Sequence, residues 1–175
     1  MKKIIAFAIL ACAFTACSEP EATKTPAANN TAPPPAASTS PTIDPNAPVA
    51  YLQGFYGEEK TADMSWRWMG EEGTVRLKNT GKEAVLKFKG AVQQDFFKEP
   101  PILTLKLNGE QLDQIKTTKG VMEKSYTIPA AKQKGDYSEL SITSDKTFVP
   151  KEVEKGSSDP RKLSFSLREL TWLPK

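Results

Sequence analysis

The residues that could do acid–base chemistry are four carboxylates near predicted loops, Glu58, Glu59, Asp63 and Asp159. Two carboxylates at a suitable separation can serve a glycosidase, but no flanking motif distinguishes these four from ordinary solvated charges. The chain contains no histidine, which removes the commonest general base and metal ligand. It also lacks a nucleophile-elbow motif, a metal-ligand cluster and a phosphate-binding glycine loop. The sequence therefore predicts a protein that is not an enzyme and holds neither metal nor cofactor.

A second stretch of interest, MSWRWMG over residues 64–70, places one arginine between two tryptophans. Side chains alternate along a strand, so Trp66 and Trp68 share one face and Arg67 lies on the other. A β-sandwich needs large core side chains, and we expect at least one of these tryptophans to be in the core. Arg67 then needs an acidic partner or water. The alternative is that the rings form a platform for a ligand.

Strand signals at short intervals, without a helical period, occupy the part of the chain that must position these residues. A single turn is expected around residues 92–98. Nine such strands predict an all-β fold, a two-sheet antiparallel β-sandwich of the jelly-roll type. The predicted strands cover residues 50–56, 62–68, 74–78, 84–89, 102–107, 111–117, 122–128, 139–143 and 163–173.

Two local patterns predict details of that sandwich. Leucines alternate along residues 102–107, which indicates one buried face, and Asn108-Gly109 then supplies a tight hairpin turn. In the last strand the apolar residues occupy odd positions up to Leu167 but even positions from Leu170. A one-residue slip would turn half of the strand inside out, so we expect a bulge at Arg168-Glu169.

The beginning of the chain has the pattern of a bacterial lipoprotein signal. Two lysines precede an apolar run over residues 4–16, which is shorter than the roughly 20 residues that a membrane-spanning helix needs. Phe14-Thr15-Ala16-Cys17 resembles the lipobox, in which the leader is removed and the cysteine carries acyl chains such as palmitate. Ser18 is typical of sorting to the outer membrane. The alternative is an ordinary secretory signal that is cut near Ala16.

The chain thus divides into three predicted segments. Residues 1–16 are a lipoprotein signal peptide, 17–48 are the lipidated cysteine with a disordered Pro/Ala/Thr-rich tether, and 49–175 are one β-sandwich domain. The predicted mature chain keeps a single cysteine and can form no internal disulfide. Loss of the two leader lysines lowers the formal charge from +3 to about +1, which gives no electrostatic case for nucleic acid.

Three stretches of the domain, taken in order, resemble a module of bacterial cell-surface proteins. They are Gly54-Phe55-Tyr56-Gly57-Glu58-Glu59, Trp66-Arg67-Trp68, and Phe148-Val149-Pro150 followed by Asp159-Pro160-Arg161. The chain resembles jelly-roll, carbohydrate-binding-like modules attached to cell-surface glycan enzymes, over most of residues 51–173, with Phe55 where the family has tryptophan. The resemblance implies a carbohydrate-binding-module-like or galactose-binding-like fold. It also implies the candidate ligand-binding residues Tyr56, Glu59, Arg67, Trp68, Asp159 and Arg161.

The resemblance groups Arg67 with the glutamates near Tyr56 and with Asp159 and Arg161, and two interpretations of this group are open. It is either a salt-bridge cluster that holds a loop or the polar rim of a ligand site. The predicted function is a non-catalytic outer-membrane lipoprotein, facing the periplasm or the cell surface, whose domain binds or organises cell-envelope glycan. The alternative is a structural or assembly subunit that docks onto a partner envelope protein through an exposed Phe96-Phe97 pair.

Overall fold

The computed structural model of the chain describes residues 44–175. The predicted signal peptide, the lipidation site at Cys17 and the tether up to residue 43 lie outside the described residues. None of the helices within residues 44–175 has the length and apolar character needed to cross a membrane.

Eight strands make up most of the described chain, and every pairing between them is antiparallel. The expected turn is present as a 3-10 turn at Gln94–Phe96, and a second one lies at Ala130–Lys132. A one-turn helix, α1, covers Pro150–Val153 and was not predicted. The strands are β1 Val49–Lys60, β2 Ser65–Lys78, β3 Ala84–Val92, β4 Ile102–Leu107, β5 Glu110–Lys116, β6 Val121–Ile128, β7 Tyr137–Ser144 and β8 Phe165–Pro174.

The strand order is that of a jelly roll. One layer has the order β2-β7-β4-β5, the other has the order β8-β3-β6, and β2 joins the two because it also pairs with β8. β1 lies beside β2 along its length. The apolar sides of both layers meet in one core. The predicted all-β, two-layer antiparallel sandwich is confirmed.

β2 changes layers at a bend. The two strands predicted over residues 62–68 and 74–78 are the two halves of this one bent strand. Its residues 67–68 pair with β8, whereas residues 72–78 pair with β7. At the bend, four residues of β2, 70–73, stand opposite one residue of β1, Gly54. Gly54 has a φ of 77°, and a Cβ atom there would collide with the backbone carbonyl of Glu72. Glycine at this position therefore lets β1 follow the bend.

The local predictions for β4 and β8 are confirmed. The leucines of β4 are buried, and Asn108 and Gly109 have φ values of 51° and 82°, as a two-residue hairpin turn requires. In β8 the register against β3 shifts by one residue, so that Arg168 is the extra residue of a bulge. Leu167 before the bulge and Trp172 after it are therefore both buried, each 2% exposed.

The prediction that Trp66 or Trp68 belongs to the core is wrong. Both are half-buried, and the core tryptophan is Trp172. Met69 is fully buried in the core cluster, so strand alternation places Arg67 on the core side of β2 and the two tryptophans on the other side. The face of β2 that looked suited to a core is covered by loops instead.

The start of the domain is fastened at one end of the sandwich, just before β1. Arg76 donates a hydrogen bond to the carbonyl of Asp44 (3.1 Å), and the Tyr137 hydroxyl donates one to the carbonyl of Pro45 (3.0 Å). The Lys78 ammonium donates to the side chain of Asn46 (3.0 Å). The last residues of the predicted tether therefore contact the ends of β2 and β7.

Candidate functional site

A cleft of about 180 Å³ opens at the other end of the sandwich, where β1 ends and β2 begins. Part of its lining is apolar and largely aromatic, and the rest is polar or charged. The apolar part consists of Trp68, Phe96, Phe148, Pro150 and Leu163, and the polar part of Glu59, Gln93, Glu154, Ser157, Asp159 and Arg161.

The connection between β7 and β8 supplies most of the cleft, and backbone hydrogen bonds hold it against the sheet. Phe148 and Leu163 exchange two of these bonds, each 2.8 Å long. The Ser164 amide donates to the carbonyl of Met69 in β2 (2.9 Å). These contacts bring Phe148 and the residues after it over the outer face of β2, where Trp68 lies.

Arg161 organises the polar side of the cleft. Its Nε and Nη2 atoms donate to the Asp159 carboxylate at 3.0 and 2.7 Å, and its Nη1 donates to Glu59 Oε1 at 2.7 Å. The Arg161 guanidinium also lies 5.1 Å from the centre of the Tyr56 ring, whose hydroxyl donates to the carbonyl of Lys162 (3.2 Å). Four of the six candidate residues therefore form one cluster that fastens the β7–β8 connection to β1.

The electrostatics of this cluster favour a permanently charged arrangement. Hydrogen bonding from the Arg161 side chain lowers the pKa of Asp159, against an opposing contribution from its partial burial. A carboxyl with a lowered pKa is a poor general acid at neutral pH. Asp159 and Glu59 share one guanidinium, and Asp159 accepts from it through both carboxylate oxygens.

The structure does not bring Arg67 into this cluster. Arg67 lies on the core side of β2, 3.7 Å from Glu58 and 5.0 Å from the centre of the Tyr51 ring. The predicted grouping is therefore present in part: Arg67 lies beside Glu58, one of the glutamates near Tyr56, but not beside Asp159 or Arg161. The reason is strand alternation, because Trp68 points into the cleft and its neighbour must point away.

Trp68 lies in a small aromatic cluster rather than in the core. Its ring packs edge-on against Phe148, with centroids 5.9 Å apart. Phe96 and Phe97 approach the same Phe148 ring at 5.0 and 5.7 Å. Both are half-buried, so the expectation of an exposed Phe96-Phe97 pair is wrong. Trp68, Phe96 and Phe148 line the apolar part of the cleft, whereas Phe97 packs on Phe148 outside the lining.

Sequence reasoning did not find three polar residues of the cleft, Gln93, Glu154 and Ser157. Each lies in a loop of ordinary polar composition, and no spacing in the sequence links it to the others. They meet because the loop after β3 and the connection after β7 lie at the same end of the sandwich. No local pattern could have revealed that meeting.

The chemistry available in the cleft suits recognition. An aromatic surface can contact the C–H side of a sugar ring, while a few carboxylate and hydroxyl oxygens orient its hydroxyl groups. Within residues 44–175 no three His, Cys, Asp or Glu side chains converge in a way that could hold a metal ion.

No protein-family model matches the chain, and no curated protein matches its sequence. Among solved structures, the secreted serine protease VesC from Vibrio cholerae is similar over 63% of this chain and 21% of its own, with 16% identity and a TM-score of 0.38. TmCBM61, solved with β-1,4-galactotriose, is similar over 73% of this chain and 87% of its own (8% identity, TM-score 0.40). A family 35 carbohydrate-binding module from Clostridium thermocellum is similar over 74% and 90% (9% identity, TM-score 0.36). The jelly-roll assignment rests on the strand order of this chain.

Proposed function

We propose that the sandwich is a non-catalytic glycan-binding domain of an envelope lipoprotein, anchored through Cys17 in the outer membrane and facing the periplasm or the cell surface. The observation that carries the glycan proposal is the cleft, whose lining combines the Trp68 and Phe148 rings with the Glu59, Asp159 and Arg161 side chains. Its volume corresponds to about six water molecules, which suits one sugar ring rather than a long polymer segment.

The contacts of the cleft favour binding over catalysis. Asp159 accepts hydrogen bonds from Arg161 through both carboxylate oxygens, and its lowered pKa makes it a poor general acid. The alternative function, docking onto a partner envelope protein, depended on exposure of Phe96 and Phe97. Both rings pack on Phe148, and no observation favours that alternative.

A glycan array tests the binding proposal with the unlipidated chain, residues 18–175. We expect retention of a defined set of glycans, and we expect Trp68→Leu to abolish it because leucine supports the loops without offering an aromatic face. Trp66→Leu is the matched control, since Trp66 is half-buried on the same face of β2 but does not line the cleft. An equal loss of glycan retention in Trp68→Leu and Trp66→Leu would contradict the proposal. Failure of both the wild type and the control to retain any glycan would contradict it as well.

The anchoring proposal has its own test in living cells. We expect wild-type protein to take up radioactive palmitate, and globomycin to cause unprocessed precursor to accumulate. Cys17→Ser should abolish labelling, whereas Cys12→Ser, a change at the other cysteine of the leader region, should not. Wild-type protein without label would refute anchoring and leave the glycan proposal intact.

A further inference from the structure

The cleft carries more negative than positive charge. Glu59, Asp159 and Glu154 line it together with a single cation, Arg161. Because one guanidinium faces three carboxylates, two negative charges of the lining are uncompensated by other lining residues. A ligand that enters this cleft meets an excess of negative charge together with aromatic side chains.

Arg161 is also poorly placed to receive an acidic ligand. Three of its N–H directions are used by Asp159 and Glu59, at distances of 2.7 to 3.0 Å. A uronic acid or a phosphate group would have to compete with these two carboxylates and would meet Glu154 as well. Anionic sugars are therefore disfavoured by charge and by the existing hydrogen bonds.

Glu154 is the carboxylate that can respond to a ligand. Its backbone is fixed by a hydrogen bond from its amide to the carbonyl of Pro150 (2.8 Å), while within residues 44–175 its side chain makes no ion pair. Lys151 and Lys155 belong to the same connection, but both are exposed and neither lines the cleft. The Glu154 side chain is thus a free negative charge at the rim.

We infer that the cleft selects a sugar ring that bears a protonated amino group, with the ring against Trp68 and the ammonium toward Glu154 and Glu59. The inference rests on the proposed glycan-binding function and names the class of sugar. A neutral sugar could donate hydroxyl hydrogen bonds to the same oxygens, but only a cation balances the excess negative charge.

The test compares three probes of equal length at pH 6: a glucosamine oligomer with free amines, its fully N-acetylated form, and an oligomer of a uronic acid. The protein is the unlipidated chain, residues 18–175, and dissociation constants are measured by calorimetry at low and high salt. We expect the glucosamine oligomer to bind at least about tenfold more tightly than the other two, and to weaken as salt rises.

Glu154→Gln supplies the residue-level test. Removal of one exposed charge should weaken glucosamine binding about fivefold and leave binding of the acetylated probe unchanged. Glu152→Gln is the matched control, because Glu152 lies in the adjacent helix α1 but outside the cleft lining. Equal binding of the amine and acetylated probes would overturn the amine inference and leave glycan binding standing. Binding of none of the probes, nor of any arrayed glycan, would overturn both.

Discussion

Replacement of Trp172 by alanine should lower the free energy of unfolding by about 3–5 kcal/mol, the cost of truncating a large ring in a core. Trp172 is 2% exposed and lies just after the bulge of β8. Its indole Nε1 donates a 2.7 Å hydrogen bond to the carbonyl of Lys78, which would lose its partner. Urea denaturation followed by circular dichroism measures the change.

Trp68→Ala is the control for that experiment. Trp68 is half-buried in the aromatic cluster around Phe148, so its truncation should cost only about 1–2 kcal/mol. A larger loss of stability for Trp68→Ala than for Trp172→Ala would contradict this assignment. It would mean that the Trp68 face of β2, rather than the Arg67 face, lies on the core.

Asp159→Ala should lower the free energy of unfolding by about 1–2 kcal/mol. The Asp159 side chain is 24% exposed and that of Arg161 27%, which places the pair between exposed ion pairs (about 0–1 kcal/mol) and buried ones (about 3–5 kcal/mol). The change would leave Arg161 with Glu59 alone and would release the β7–β8 connection from one of its fastenings. A neutral outcome at pH 7 would show that the cluster does not stabilise the fold.

The same carboxylate gives this stabilisation a predictable pH dependence. Because the Arg161 side chain lowers the pKa of Asp159 in the folded state, the unfolded chain binds the proton more readily. The contribution is therefore complete above the ordinary value of 3.8 and disappears as the pH falls toward the folded-state pKa. The melting-temperature difference between wild type and Asp159→Asn should be constant from about pH 5 to 8 and should shrink below about pH 4. A difference that stays constant down to pH 2 would contradict this account.

The features that sequence predicted correctly are those fixed by near neighbours along the chain. Alternating leucines, the Asn108-Gly109 turn and the phase change in β8 each follow from a few consecutive residues. The orientation of Trp68 does not, because alternation gives two faces but does not say which one the core occupies. Met69 lies in the core and therefore shows which face of β2 is buried. That face is set by the packing of strands that are distant in sequence.

The candidate site was predictable in part for the same reason. Five of the residues that the resemblance grouped lie together at the cleft: Tyr56, Glu59, Trp68, Asp159 and Arg161. Arg67 is the exception, because it lies beside Glu58 and outside the cleft lining. Glu154 and Ser157 carry no pattern of their own, and their place in the cleft depends on how the whole β7–β8 connection folds back.

The fastening of residues 44–48 beside β2 and β7 places the entry of the chain into the domain at the end of the sandwich remote from the cleft. The chain enters next to the start of β1, while the cleft lies where that same strand ends. A lipid on Cys17, as proposed above, would attach the domain through the end remote from the cleft. The 26 residues from 18 to 43 could extend at most about 90 Å. Such an attachment would leave the cleft open to polymers within that radius without imposing one orientation on the domain.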